Sequence, residues 1–373
     1  MLGCMPDQSD SVPVYRTIRM TAPPEPEAAR ADADAWHARE SYPEILGARR
    51  PVFGVARERD QGGWELQSHV SAGAPQECRD GLASTFRGLA HEASAAGDQA
   101  THDEYTAAAV RLDWERLDEM TVCGSRYRVV RAEQFIRLGP TGPEPPRPSD
   151  PDPAPTGESH QFPDPVAGFV VDPYTATGMS EGILKHELLC MVWEEGSVPD
   201  RVWMDSRRAV RSHPGGVLLP ATFVMAELVD GNWAPAADAS SSPQGARDVL
   251  ALDLRVVAPI VRKLSGKDRE RYARAADRLD RRRGFELLVG GRHFRLVRVE
   301  RLLRIGPDGP EGPRRSDPDP EQPVMVHDQQ LKAQGINYDE EQPPREPTEE
   351  QREMIALFQQ EEARRRARSQ PSE

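Results

Sequence analysis

The sequence predicts an α+β protein of two homologous units, each an antiparallel sheet with two or three helices, related by a pseudo-twofold axis and followed by a C-terminal helix. Three observations carry this expectation. Shifted by 167 positions, Val122–Pro153 lies on Val289–Pro320 with 19 of 32 positions identical, far more than unrelated segments share. Helical spacing and strand alternation recur at matching places in both copies, over roughly 100 residues each. Each copy also ends on the same odd phrase, "GPTGPEPPRPSDPDP" from Gly139 and "GPDGPEGPRRSDPDP" from Gly306. Fused copies of one fold pack as symmetric dimers do, hence the twofold.

Period and punctuation give the order of elements. The segments after Pro51 and after Pro220 read as strands entering turns at "DQGGW" and "DGNW". A helix follows. In the second copy Ser242 is placed to cap it and Pro243 to begin it, and Leu250, Leu254, Val257, Val261 and Leu264 recur at helical spacing. Leu82, Phe86 and Leu89 match them in the first copy. Pro259 lacks an N–H and is expected to kink or break the helix. A second helix is expected from Asp268, and from Thr101 in the first copy, where "THDE" spells a capping box. Its inward stripe is Tyr272, Ala275, Ala276 and Leu279, repeated as Tyr105, Ala108, Ala109 and Leu112.

"FELLVGGRHFRLVRVERLLRIG" then reads as a hairpin, with Gly290-Gly291 supplying the positive φ angles of a two-residue turn. On its long strand Phe294, Leu296, Arg298, Glu300, Leu302 and Arg304 share one face, and Tyr127, Val129, Arg131, Glu133, Phe135 and Arg137 repeat that face in the first copy. The proline phrase comes next. Its prolines forbid helix and ladder alike, so a stiff extended segment is expected, packed over its own unit or threaded toward the other.

These elements place unit 1 at residues 1–153 and unit 2 at 154–320. "TGMSEGILKHELLCMVW" is expected to be a helix with Ile183, Leu184, Leu188 and Met191 inward, the counterpart of one around Glu25–Ala38. Residues 321–347, polar and rich in Pro, read as a disordered or extended linker. Thr348 and Gln351 offer a capping box for a helix in 348–373, with "EE" at its start and "RRRAR" at its end to match the dipole. Met354, Ile355, Leu357 and Phe358 are its only apolar patch, so it needs a docking surface, in a protein partner or in the chain itself.

Composition narrows the function classes. Net charge is −13, which argues against a nucleic-acid coat. The four cysteines stand far apart with no CxxC pair and no zinc spacing, and are expected as reduced thiols of a cytoplasmic protein. No basic-then-apolar leader opens "MLGCMPDQSD", and no apolar run approaches a membrane span. No nucleotide, zinc-protease or esterase motif occurs, and no cofactor is expected. Between Arg262 and Arg304 the chain has 15 Arg and Lys against 6 acids, whereas Ala95–Arg137 has 6 against 8. That basic face suits the protein's own acidic segments or an anionic partner; it lacks the aromatic interleaving of single-strand binders, so nucleic acid is not expected.

The candidate interaction residues are the acids of the phrase, Asp150, Asp152, Asp317 and Asp319, and the strand pairs Arg131 with Glu133 and Arg298 with Glu300. Carboxylates are hard ligands, but a calcium loop needs six or more oxygens on a chain free to curl, and prolines stiffen this one. Structural acids and no metal are therefore expected. The Arg/Glu pairs read as neighbouring ion pairs on a sheet face. His186 and Cys190 stand four apart on a helix and are expected to serve packing, and His213 a turn.

The run "FRLVRVERLLRIGPDGPEGPRRSDPDP" resembles a family of uncharacterised actinobacterial proteins grouped only as a domain of unknown function. The resemblance covers most of the chain up to Pro320 and implies no catalytic residues. The reading is of a non-enzymatic cytoplasmic binding or scaffold protein, monomer or homodimer. The alternatives are an enzyme of unrecognised type with its site in the cleft between units, and a binder of an anionic partner through the basic face of unit 2.

Overall fold

The computed structural model describes residues 16–23, 25–48, 50–153, 166, 168–336 and 346–369. The first half runs through helix α1 (Pro26–Ser41), strands β1 (Glu44–Gly47), β2 (Val52–Glu58) and β3 (Trp64–Leu66), helices α2 (Pro75–Ala95) and α3 (Gln99–Trp114), then β4 (Glu119–Val122), β5 (Ser125–Gly139) and β6 (Gly142–Pro143). Strand β7 (Val170–Val171) and helix α4 (Met179–Cys190) follow. A similar order then returns: α5 (Asp200–Ser212), β8 (Gly215–Val229), β9 (Asn232–Pro235), α6 (Pro243–Leu252), a π-helical turn (Asp253–Val257), α7 (Ala258–Val261), α8 (Gly266–Leu279), β10 (Glu286–Val289), β11 (Arg292–Gly306) and β12 (Gly309–Pro310). Helices α9 (Val324–Ala333) and α10 (Glu349–Ser369) complete the described chain.

The protein is α+β, but the two separate sheets expected from the sequence are one. Twelve strands join in the order β7-β3-β2-β5-β11-β8-β9, with β1, β4 and β6 added along β5 and β10 and β12 along β11. The halves meet where β5 and β11 pair antiparallel, with Gln134 opposite Arg301 and Ala132 opposite Leu303. Burial explains the fusion. Nearly every residue of β11 from Phe294 to Gly306 is buried, on both faces of the strand. Such a strand belongs at the centre of a covered sheet, not at an edge.

Helices α2 and α3 cover the first half, where Leu82, Phe86, Ala109 and Leu112 pack on Phe53, Tyr127 and Val129. Helices α6 and α8 cover the second, where Leu250, Leu254, Tyr272 and Ala276 pack on Phe223, Phe294 and Leu296. Two helix starts fall earlier than expected. Asp98 caps α3 by accepting from the Thr101 N–H at 3.1 Å, and Ser265 caps α8 by accepting from the Asp268 N–H at 3.3 Å. Thr101 lies inside its helix. The hairpin turns match the expectation: Gly290 and Gly291 have φ of 57° and 80°, and Cys123 and Gly124 have 48° and 73°. Ser242 and Pro243 begin α6 as expected. Ahead of Pro259, the chain widens into the π-helical turn rather than stopping.

Two further expectations are corrected. The helix in the place of α1 is α5, not α4. Ser149 N–H donates to Asp34 on α1 at 2.9 Å, and Ser316 N–H donates to Asp205 on α5 at 3.0 Å. Helix α4 has a separate task, packing Leu184, Leu188 and Leu189 against Phe135 and Leu302 at the meeting of the halves. The extended linker expected over 321–347 contains helix α9, which lies beside α3. Its Val324, Met325, Val326 and Leu331 supply the apolar residues that composition averaged over the segment conceals. The expectations for the start of the chain, for residues 337–345 and for the last residues lie outside the described residues.

The capping box of α10 forms, with Thr348 N–H donating to Gln351 Oε1 at 2.8 Å and Gln351 N–H to Thr348 Oγ1 at 3.2 Å. The helix docks on the chain itself. Glu361 is only 4% exposed and meets Arg255 of the π-helical turn at 3.3 Å, Arg364 at 2.6 Å and Arg365 at 2.9 Å. Replacing Glu361 by Ala removes the anion these arginines share, though Asp277 and Asp280 still answer Arg255, and lowers the unfolding free energy by about 1.5 kcal/mol in a urea titration. A change within about 0.5 kcal/mol, typical of a bare surface position, contradicts this docking.

Candidate functional site

The two proline phrases cross between the halves. After β6, the carbonyl of Glu144 accepts from the Arg298 N–H of β11 at 2.9 Å; after β12, the carbonyl of Glu311 accepts from the Arg131 N–H of β5 at 2.9 Å. Each turn that begins the crossing presses a glycine on the opposite half's tryptophan, Gly142 on Trp233 and Gly309 on Trp64. Both glycines have positive φ, 110° and 103°, and a Cβ on either would meet the indole.

The acids of each phrase then bind arginines of the other half. Asp317 accepts from Arg131 Nε at 3.1 and 2.9 Å, and from its own loop through the Arg314 N–H at 2.7 Å. Asp150 accepts from Arg298 Nε at 3.0 Å with both oxygens, and from the Arg147 N–H at 2.7 Å. Two residues on, Asp319 and Asp152 reach the helix starts. Asp319 accepts from the Gln76 N–H of α2 at 3.0 Å and from Arg79 Nη1 at 2.7 Å. Asp152 accepts from the Gln244 N–H of α6 at 2.8 Å and also binds Arg247. Helix α2 has no side-chain cap of its own, since Ala74 stands at that position; the cap comes from the other half.

The strand pairs sit inside this lattice. Glu133 faces Arg131 Nη1 at 3.3 Å, Arg304 Nε at 2.8 Å and Arg314 Nη1 at 2.9 Å. Glu300 pairs with Arg298 and with Arg147 Nη2 at 3.0 Å. Burial pushes Glu133 upward, but Arg314, Arg304 and Arg131 outweigh it and hold the carboxyl at about 2. Glu300 is likewise opposed by burial and held low by Arg298 and Arg147. Arg304 also donates to the carbonyls of Leu189 at 3.1 Å and Leu188 at 3.3 Å, at the C-terminal end of α4.

Six of the eight sequence-predicted residues thus converge in two clusters, Arg131, Glu133 and Asp317, and Arg298, Glu300 and Asp150, while Asp319 and Asp152 go to the helix starts beside them. Within each strand Arg131 pairs with Glu133 and Arg298 with Glu300, and the partners from the second half lie outside the expectation. Gln76, Arg79, Gln244 and Arg247 were missed, although "PQECRD" and "PQGARD" put a Gln and an Arg at the same places after each helix-starting proline. His186 and Cys190 do not serve packing; both are exposed on α4, 4.0 Å apart. The basic face is partly spent within the chain, Arg269 on Glu353 and Arg255 on Glu361. No group of three or more His, Cys, Asp and Glu side chains arranged to hold a metal occurs among the described residues.

Above the first cluster lies a cavity of about 210 Å³. Arg131, Glu133 and Phe135 of β5 form its floor; Met191, Val192 and Trp193 after α4, Arg201 and Val202 of α5, and Asp317 of the arm form its walls. Both halves contribute. Arg131 is 94% buried by its 6% exposure, and its Nη1 makes no hydrogen bond. The exposed guanidinium of Arg201 has no ion-pair or hydrogen-bond partner among the described residues.

Sheet, crossed arms and ion clusters define an α+β protein whose two halves share one sheet and brace each other reciprocally. A model described as a family of unknown function (DUF5954) matches residues 25–320, from the start of α1 to the end of the second phrase, and the chain belongs to that family. No curated protein and no solved structure matches it. No helix among the described residues is long and apolar enough to cross a membrane.

A pH dependence follows from Glu133. Its folded pKa, about 2, lies below the ordinary glutamate value near 4.3, so its stabilisation is present above that value and is lost as pH falls toward 2. Between pH 5 and pH 2.5 the melting temperature of the wild type should fall more steeply than that of Glu133→Gln, which has no proton to take up there. Parallel slopes would contradict the assignment.

Proposed function

We propose that this chain is a non-enzymatic, cytoplasmic binding protein, built by internal duplication of one unit, whose ligand site is the cavity above the Arg131 cluster. The observation that carries it is the contrast between the clusters and the cavity. Glu133 and Glu300 are held ionised by several guanidiniums each, which makes them poor carriers of a proton near neutral pH. The cavity beside them is walled by apolar and aromatic side chains with a few charged groups, Arg131 and Arg201 among them, the usual make-up of a small-molecule site.

Register supports the duplication. Gln134 and Arg301 stand opposite each other in the central pair and are 167 positions apart, the same shift that aligns the two copies. Equivalent residues meet in this way when a twofold axis passes between them. The arms then act as an exchanged element, each half completing the other. Cys78, Cys123 and Cys190 are free thiols, which suits a reducing compartment. Ile355 and Phe358 remain 47% and 42% exposed on the docked α10, so a protein partner of that helix would meet those two side chains.

Incubating the pure full-length chain with a small-molecule extract of its native host tests the reading. One compound should be retained at up to one equivalent per chain and be released unchanged on denaturation. Consumption of a compound in excess of the protein, with a new product, would identify an enzyme. Retention of nothing would also count against a binding role.

A further inference from the structure

We infer that the cavity takes a small apolar monocarboxylate, one aromatic ring or branched chain bearing a single acid group, held between Arg131 and Arg201. The inference rests on the cavity being the ligand site and adds the ligand's class. It begins with the donors and acceptors that are already spent. Glu133 is shared among Arg131, Arg304 and Arg314, and Asp317 accepts from Arg131 Nε and the Arg314 N–H. An ammonium ligand would have to compete with fixed guanidiniums for these oxygens. The cavity's charge is cationic. Arg131 Nη1 lies 3.3 Å from Glu133 Oε1 without a hydrogen bond, in a side chain almost wholly removed from water. Arg201 lines the same cavity with no described partner. Arg201 thus stands on an apolar wall without a described anion of its own, and a carboxylate there takes its charge-assisted bonds while the Arg131 guanidinium in the floor adds positive charge.

The rest of the wall specifies the body of the ligand. Phe135, Met191, Val192, Trp193 and Val202 offer apolar surface and aromatic rings. At about 210 Å³ the space exceeds the roughly 150 Å³ that holds a benzene, which leaves room for one ring and a short acid arm. Phosphoryl groups suit the site poorly, since two guanidiniums and an apolar wall leave most of their oxygens unmatched. One cavity of this lining takes one ligand per chain.

Phenylacetate and its neutral amide, phenylacetamide, are suitable probes, titrated calorimetrically into the full-length chain at neutral pH with melting temperature as a second readout. Phenylacetate should bind once per chain and raise the melting temperature, and the amide should bind at least 10-fold more weakly. Arg201→Gln, an exposed change that leaves the fold intact, should cost phenylacetate at least 10-fold. Val202→Phe should fill the cavity and abolish binding while the protein still melts cooperatively. Equal binding of acid and amide, or phenylacetate binding undiminished in Val202→Phe, would overturn the inference. If phenylacetate fails but the amide or isobutylamine binds and is lost in Val202→Phe, the carboxylate assignment falls and the cavity stands as the ligand site. Failure of all three probes also overturns the carboxylate class, and retention from the host extract then judges the binding reading separately.

Discussion

A guanidinium placed in the middle of a sheet must be answered, and the answer here comes from the other half of the chain. Arg131 and Arg298 stand on the two central strands, with side chains 7% and 11% exposed. Their nearest in-strand acids, Glu133 and Glu300, cannot satisfy a five-donor fork alone. Asp317 and Asp150 complete them across the interface, so neither half can bury its central charge without the other. Removing one member of such a buried set costs several kcal/mol, because an uncompensated charge is left behind. That penalty binds the halves more specifically than apolar contact does, since apolar surfaces tolerate sliding and a bidentate pair does not.

The rest of the architecture follows from the crossing. Because the arms exchange, the prolines must hold them extended, and the glycine at each turn must let the chain lie on an indole. The first residues past each crossing reach a helix start, which is why Ala74 can stand where a capping side chain is usual. The reciprocity is incomplete, and its gaps are informative. Asp308 binds Arg126 and Arg128 in one half, where Thr141 offers only a backbone carbonyl to Arg295 in the other. Glu133 has Arg304 close by, while Arg137 turns to Glu187 on α4. Differences of this kind give the two clusters different surroundings, and the described cavity lies over the Arg131 cluster.

Much of this was legible in the residues. The turn glycines, the cap at Ser242 and the strand faces are local signals, and they fell where local physics puts them; the stripe of α6 did not run on past Leu254, because the π-helical turn shifts its phase, burying Val256 and Ile260 and leaving Val261 exposed. The acids of "SDPDP" stood out because the phrase occurs twice, but not the arginines they bind. The fusion of two sheets was not legible. The two faces of β11 were read correctly, but not that both are dry: Leu302 packs on α4, while Leu303 and Ile305 on the other face pack on Trp64, Leu66 and Val70. Nor was the destination of the arms: a sequence states that a segment is extended, but not which surface it meets. Helix α9 was hidden by its polar surroundings, and the cavity is assembled from four separate segments whose meeting no spacing reveals.

The account turns on the arms making two halves into one cooperative body. Native-state amide hydrogen exchange tests it most directly, by following the Gln76 amide at the start of α2 in the wild type and in Asp319→Asn. The substitution lies 243 positions away in the chain, yet its side chain holds that amide. In the wild type the Gln76 amide should exchange only with global unfolding, together with the centres of β5 and β11. In Asp319→Asn its protection should fall by at least 10-fold, the loss of a charge-assisted bond, while β11 stays protected to the level of global stability. Unchanged protection of Gln76 would contradict the exchanged-arm account.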